Sequence, residues 1–105
     1  LYSSGVLPEV FFTVNDRVAL GAYKAAREAG IKIPEDIGIF GYGFSEITDT
    51  FDPQLTVIDQ DPRKLGAEAA KLLVKEIESP GKRKQSIIFI DEEFVWRKSI
   101  QQNNI

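Results

Sequence analysis

Asn15 and Asp16 follow the apolar run Val10-Phe11-Phe12-Thr13-Val14, and an alanine-rich helical pattern begins within a few residues of them. An amide beside a carboxylate can do two things at such a place. It can cap the helix, or it can point into a cleft and hold a ligand by hydrogen bonds. The chain holds little else that does chemistry. It contains no histidine and no cysteine. That removes imidazole bases, thiolate nucleophiles, disulfides and the commonest zinc ligands. No serine, threonine or lysine has a credible base beside it, so an enzyme active site is not expected. Gly38, Gly41 and Gly43 lack the spacing of a dinucleotide loop, and no helix follows them directly. Glu46, Asp49 and Asp52 could offer oxygen ligands to a cation, but their spacing matches no calcium loop. Asp91-Glu92-Glu93 reads as a solvated strand edge. No cofactor and no metal are expected.

The elements that position Asn15 and Asp16 follow from hydrophobic pattern. Residues 10–14 read as a strand buried on both faces. A helix is predicted from about Arg17 to Ala29, with Val18, Ala22, Ala25, Ala26 and Ala29 on its inner face and Gly30 as its stop. Leu20 and Tyr23 form a second apolar strip beside that face. Ile37 to Tyr42 is a second buried strand. Strand, helix and strand within about 30 residues make a βαβ unit with parallel neighbouring strands. Ligands in open α/β sheets bind outside the carboxyl ends of such strands, where Asn15-Asp16 and the loop 43–54 both emerge. Asp16 is expected to cap the helix while Asn15 faces the crevice. Beyond the loop come a short strand from Leu55 to Ile58 and a helix begun by Asp61-Pro62 and ending near Glu78. "SPGKRK" turns the chain. Strands are predicted at 86–90 and 94–96, and "QQNNI" is a polar tail.

With 105 residues, 43% apolar and 28% charged, the chain is about one globular domain. Its net charge of −3 offers no basic field for nucleic acid, and no apolar run is long enough to cross a bilayer. It has no methionine and opens "LYSSGVLPE", which reads as the tail of a helix and then a loop. The chain is therefore expected to be a piece of a longer protein.

Three stretches carry a resemblance. "FFTVNDRVALGAYKAAREAGIKIPEDIGIFGY", "PQLTVIDQDPRKLGAEAAKLL" and "EEFVWRKS" resemble, in order and spacing, the C-terminal part of the effector-binding domain of LacI/GalR-type transcriptional regulators. The resemblance implies a partial type I periplasmic-binding-protein-like α/β fold, a parallel sheet with flanking helices made of pieces of two lobes. Residues 1–54 and 86–105 would belong to the C-terminal lobe and residues 55–80 to the N-terminal lobe. It implies a small-molecule effector, with a carbohydrate the expected class. It further implies a homodimer, a cytoplasmic location, and DNA binding only through an absent helix-turn-helix domain. A periplasmic sugar-binding component of a transport system is the alternative. Asn15, Gln60 and Phe12 match effector-contacting positions. Gly43 stands where the family commonly has an aspartate, so Phe44 could supply stacking or a larger ligand could use the room. Pro62 replaces a position that is sometimes aromatic. Family dimers pack partly through the helix after "ND", which makes Leu20 and Tyr23 candidate interface residues. The helix at 62–78, if it belongs to another lobe, is expected to stand apart with its apolar face bare.

Overall fold

A computed structural model describes residues 7–79, 81 and 86–101. The helix tail read at the opening of the chain and the polar tail at 102–105 lie outside these residues, as does most of the "SPGKRK" turn. Among the described residues four strands form one sheet in sequence order: β1 (Val10–Thr13), β2 (Gly38–Tyr42), β3 (Thr56–Asp59) and β4 (Glu93–Val95). The first three run parallel, with Phe12 opposite Phe40 and Tyr42 opposite Ile58. β4 closes the edge antiparallel to β3. Helix α1 (Asp16–Ala29) crosses from β1 to β2, as the βαβ reading predicts. It ends at Gly30, whose φ of 71° is costly for residues with a Cβ. The amides of Gly30 and Ile31 return to the carbonyls of Arg27 and Ala26, the paired bonds of a glycine-terminated helix end.

The inner face of α1 differs from the predicted one. Ala19, Tyr23 and Ala26 are buried, while Val18 and Ala25 face outward. Ala19 and Tyr23 meet Ile39, Leu55 and Val57 in the core, with Phe11, Ala22 and Phe51 packed around them. The physical reason is Tyr23. Its ring meets Phe51 edge-on with centroids 5.2 Å apart, and its hydroxyl donates to the Pro53 carbonyl at 2.8 Å. One large ring with a satisfied hydroxyl buries more apolar area than a row of alanine methyls, and it sets the rotation of the helix. Burial pushes the phenol up to about 12; the neighbouring Ser99 side chain acts against this, and the nearby Asp52 charge adds to it. The strip expected of Leu20 and Tyr23 is therefore split. Tyr23 is a core residue, and Leu20 is 50% exposed on the outside of the helix.

The long loop contains a single helical turn, α2 (Ser45–Thr48). The predicted strand at 86–90 does not form: Ile87 and Phe89 are more than 80% exposed, and the segment joins no ladder. A β-prone sequence without a partner has no hydrogen bonds to fix it. β3 pairs directly with β2, so residues 56–59 share a sheet with 10–42. Helix α3 (Pro62–Glu78) has no buried residue, and Leu65, Leu72, Leu73, Val74 and Ile77 are all exposed along it. The radius of gyration is 18.5 Å, against roughly 13 Å for a compact domain of this length. The opposite face of the sheet from α1 is also open. There Phe12 meets Phe40 and Tyr42 edge-on, and Phe12, Phe94 and Trp96 are each about half exposed.

"WRKS" has a structural task. Ser99 is fully buried: its hydroxyl accepts from the Thr56 amide at 2.8 Å and donates to the Ile39 carbonyl. Its backbone bonds both Ile39 and Gln54. This ties β2 and β3 together from the far end of the sequence.

Candidate functional site

The carboxyl ends of β1, β2 and β3 open side by side into a crevice. Its cavity of about 150 Å³ is walled by Asn15 and Asp16 after β1, Tyr42, Gly43 and Phe44 after β2, and Gln60 after β3. Val14 and Pro62 complete it. Four of the five residues read from the sequence as ligand contacts, Asn15, Gly43, Phe44 and Gln60, therefore meet. Phe12 does not line the cavity; it lies behind Tyr42, which does.

The roles of the two opening residues are exchanged at the helix start. Asn15 has extended backbone (φ −162°, ψ 177°), and its Oδ1 accepts from the Val18 amide at 2.9 Å. Asn15 is thus the cap, and Asp16 is the first helical residue. The helix begins one residue earlier than the pattern suggests, and the cap is whichever side chain precedes the first helical φ and ψ. Capping uses the amide oxygen of Asn15. Its two N–H donors give no hydrogen bond to the described residues and are free for the cavity it lines. The Asp16 carboxylate swings over Gly43 instead, and its Oδ2 accepts a long hydrogen bond, 3.4 Å, from the Phe44 amide.

Sequence reasoning passed over the residues that brace the segments walling this crevice. Asp59, at the end of β3, is 8% exposed. Its Oδ2 accepts from the Ser45 amide at 2.9 Å and its Oδ1 from the Asp61 amide at 2.8 Å. Burial alone pushes its carboxyl up, but Ser45, the Asp61 amide and the positive charge of Arg97 outweigh that, and the group sits below its ordinary value of 3.8. Asp59 thus anchors the start of α2 to the start of α3. The Asp-x-Asp-Pro spelling of "DQDP" is a turn signal that marks this spot. Asp61 caps α3 as predicted, accepting from the Lys64 amide at 3.2 Å. Its φ of 50° is a left-handed conformation that aspartate tolerates. Arg63 in the first turn of α3 lies over the Phe44 ring, 5.6 Å from its centroid, and pairs with Glu46 at 2.7 Å. Both partners of that pair are largely exposed, so it orients more than it stabilises. Among the described residues no three carboxylates or other metal-ligating side chains converge.

Comparison with known proteins gives one consistent set of relatives. The family profile described as "Periplasmic binding protein-like domain" matches residues 2–100. The HTH-type transcriptional repressor PurR of Histophilus somni (strain 129Pt) is 43% identical over 95 residues, which is 90% of this chain and 28% of that protein. A LacI family transcriptional regulator from Enterococcus faecium, solved with bound ribose, superposes with a TM-score of 0.80 at 36% identity, over 88% of this chain and 34% of its own. The transcription regulator CcpA of Lactococcus lactis gives 0.77 at 31% identity, over 89% and 34%. The chain thus spans about a third or less of the proteins it matches. No helix among the described residues is long and apolar enough to cross a membrane.

Proposed function

The chain belongs to the periplasmic binding protein-like domain family in the form carried by LacI/GalR-type transcriptional regulators, and from that premise we propose that its crevice is one wall of the site at which a cytoplasmic regulator senses a small neutral sugar. The observation that carries the reading is the meeting of Asn15, Gly43, Phe44 and Gln60 at the carboxyl ends of three parallel strands. A cavity of about 150 Å³ is small beside the roughly 300 Å³ and more of ordinary ligand sites. The bare side of α3 begins at Pro62, on the rim of that cavity. Both features fit a site whose second wall is built by the rest of the protein. The sugar class is supported by the ribose of the Enterococcus faecium relative. Control of DNA would pass to a helix-turn-helix domain outside this chain. The transport alternative is set aside, because relatives at 43% and 36% identity are transcription regulators.

Calorimetric titration of the whole protein with a panel of neutral pentoses and hexoses tests this. Serine in place of Asn15 keeps an oxygen for the cap but removes the amide donors. Asn15→Ser is expected to melt within about 0.5 kcal/mol of wild type and to bind sugar at least tenfold more weakly. Asn15→Ala should lose the cap as well, about 1 kcal/mol of stability. Wild-type sugar affinity in Asn15→Ser contradicts the reading.

The family's dimer is carried over to the outer side of α1, now resting on Leu20 alone. Leu20→Glu is expected to shift a dimer toward monomer in sedimentation velocity without loss of helix content, since the side chain already faces solvent in a single copy. An unchanged dimer removes Leu20 from the interface.

A further inference from the structure

We propose that Asp16 is the charged acceptor for a ligand hydroxyl in this crevice, and that glycine at 43 is what leaves its carboxylate uncovered. The proposal rests on the effector reading above and names a recognition element within it. Among the described residues that line the cavity, Asp16 alone is charged. Its cap role is taken by Asn15, so the carboxylate is released from the task an aspartate at a helix start commonly performs. Oδ2 makes only the long bond to the Phe44 amide, and Oδ1 takes no hydrogen bond from the described residues. A half-buried carboxylate with an open oxygen is a strong acceptor.

Gly43 controls the access. A Cβ at that position would lie 2.8 Å from Asp16 Oδ1, 3.0 Å from Val57 Cγ1 and 3.2 Å from Thr48 Cγ2. The last two belong to well-packed buried residues, so the group that yields is the carboxylate. Any side chain at 43 therefore displaces Asp16 or covers it. With glycine there, the amide donors of Asn15 and the acceptor of Asp16 lie on adjacent residues of one wall. One hydroxyl can accept from the first while its neighbour donates to the second. Tyr42 and Phe44 line the same cavity, and aromatic rings there suit the C–H side of the same ligand. The chemistry selects a neutral polyol with vicinal hydroxyls and repels an anionic group at this end of the crevice.

The test uses the same sugar panel on the whole protein, now with Asp16→Asn and Gly43→Ala. Asparagine keeps an acceptor for the Phe44 amide and removes the charge. Both variants are expected to bind sugar about ten- to a hundredfold more weakly than wild type, the loss of one charge-assisted hydrogen bond. Asp16→Asn is expected to melt as wild type does. Should Gly43→Ala fold poorly, Asp16→Asn carries the result. Wild-type affinity in Asp16→Asn, with binding lost in Asn15→Ser, overturns the role of Asp16 and leaves the crevice assignment standing. No sugar binding by the wild type overturns both.

Discussion

Gly41→Ala is expected to cost about 3 kcal/mol of folding stability, the upper end of what overpacking does in a core. Gly41 pairs with Thr13 where β1 and β2 run together toward the crevice. A methyl group at 41 would fall on the Thr13 carbonyl and hydroxyl. Thr13 is fully buried, with its hydroxyl directed at the Phe40 carbonyl, 3.4 Å away. The obstacle is backbone, which cannot rotate aside as the end of a long side chain can. The two strands must part at their carboxyl ends, and Asn15 follows Thr13 by two residues while Gly43 follows Gly41 by two. Loss of stability and loss of sugar binding are therefore expected together. For a domain of this size the melting temperature should fall by more than about 10 °C. A melting curve within 2 °C of wild type would show that Gly41 is not a close-approach position.

The second large effect is expected at Arg97. From the end of β4 its guanidinium donates to the Ser45 carbonyl at 2.9 Å, the Thr48 hydroxyl at 3.0 Å and the Leu55 carbonyl at 3.3 Å. It thereby lashes α2, which follows directly on Gly43 and Phe44, to the start of β3. Methionine fills much of the same volume and donates nothing. Arg97→Met should cost about 2–3 kcal/mol at neutral pH, because partly buried acceptors lose their donors. The pH dependence follows from Asp59. Its folded value is lowered, so its contribution is fully present above the ordinary value of 3.8 and is lost as pH falls through the lower folded value. Removing the Arg97 charge lets that folded value rise, and the Asp59 contribution shrinks. The gap between wild type and Arg97→Met in urea unfolding should therefore be widest at pH 7 and narrower near pH 3. A gap that does not narrow in acid would show that Arg97 acts on the loop alone.

The βαβ unit was legible because its signals are local. "VFFTV" and "IGIFGY" are continuous apolar runs, and Gly30 stops the helix between them. The position of the crevice followed from parallel pairing, and the family followed from the resemblance of "TVNDRVALG", "GIFGY" and "LTVIDQ". What stayed hidden depends on contacts distant in sequence. The choice between Asn15 and Asp16 as cap turns on one residue of extended backbone. The face of α1 is chosen by Tyr23 reaching Phe51 and Pro53, some 30 residues on, which alanine periodicity does not reveal. Arg97 and Ser99 act across 41 to 60 residues, so nothing near them in the sequence signals their partners. The 86–90 run has the composition of a strand and no ladder to join, a failure that composition cannot foretell.

The most direct test of the central claim is hydrogen exchange of the whole protein, resolved by peptide, with and without the neutral sugar that gives saturable heat. The account predicts slowed exchange in the peptides that contain Val14 to Val18, Tyr42 to Ser45 and Gln60 to Arg63, the segments that wall the crevice. Protection confined to other segments, such as the cavity beside Arg27, Lys32 and Asp52 at the far end of α1, with exchange at the crevice unchanged, would contradict it.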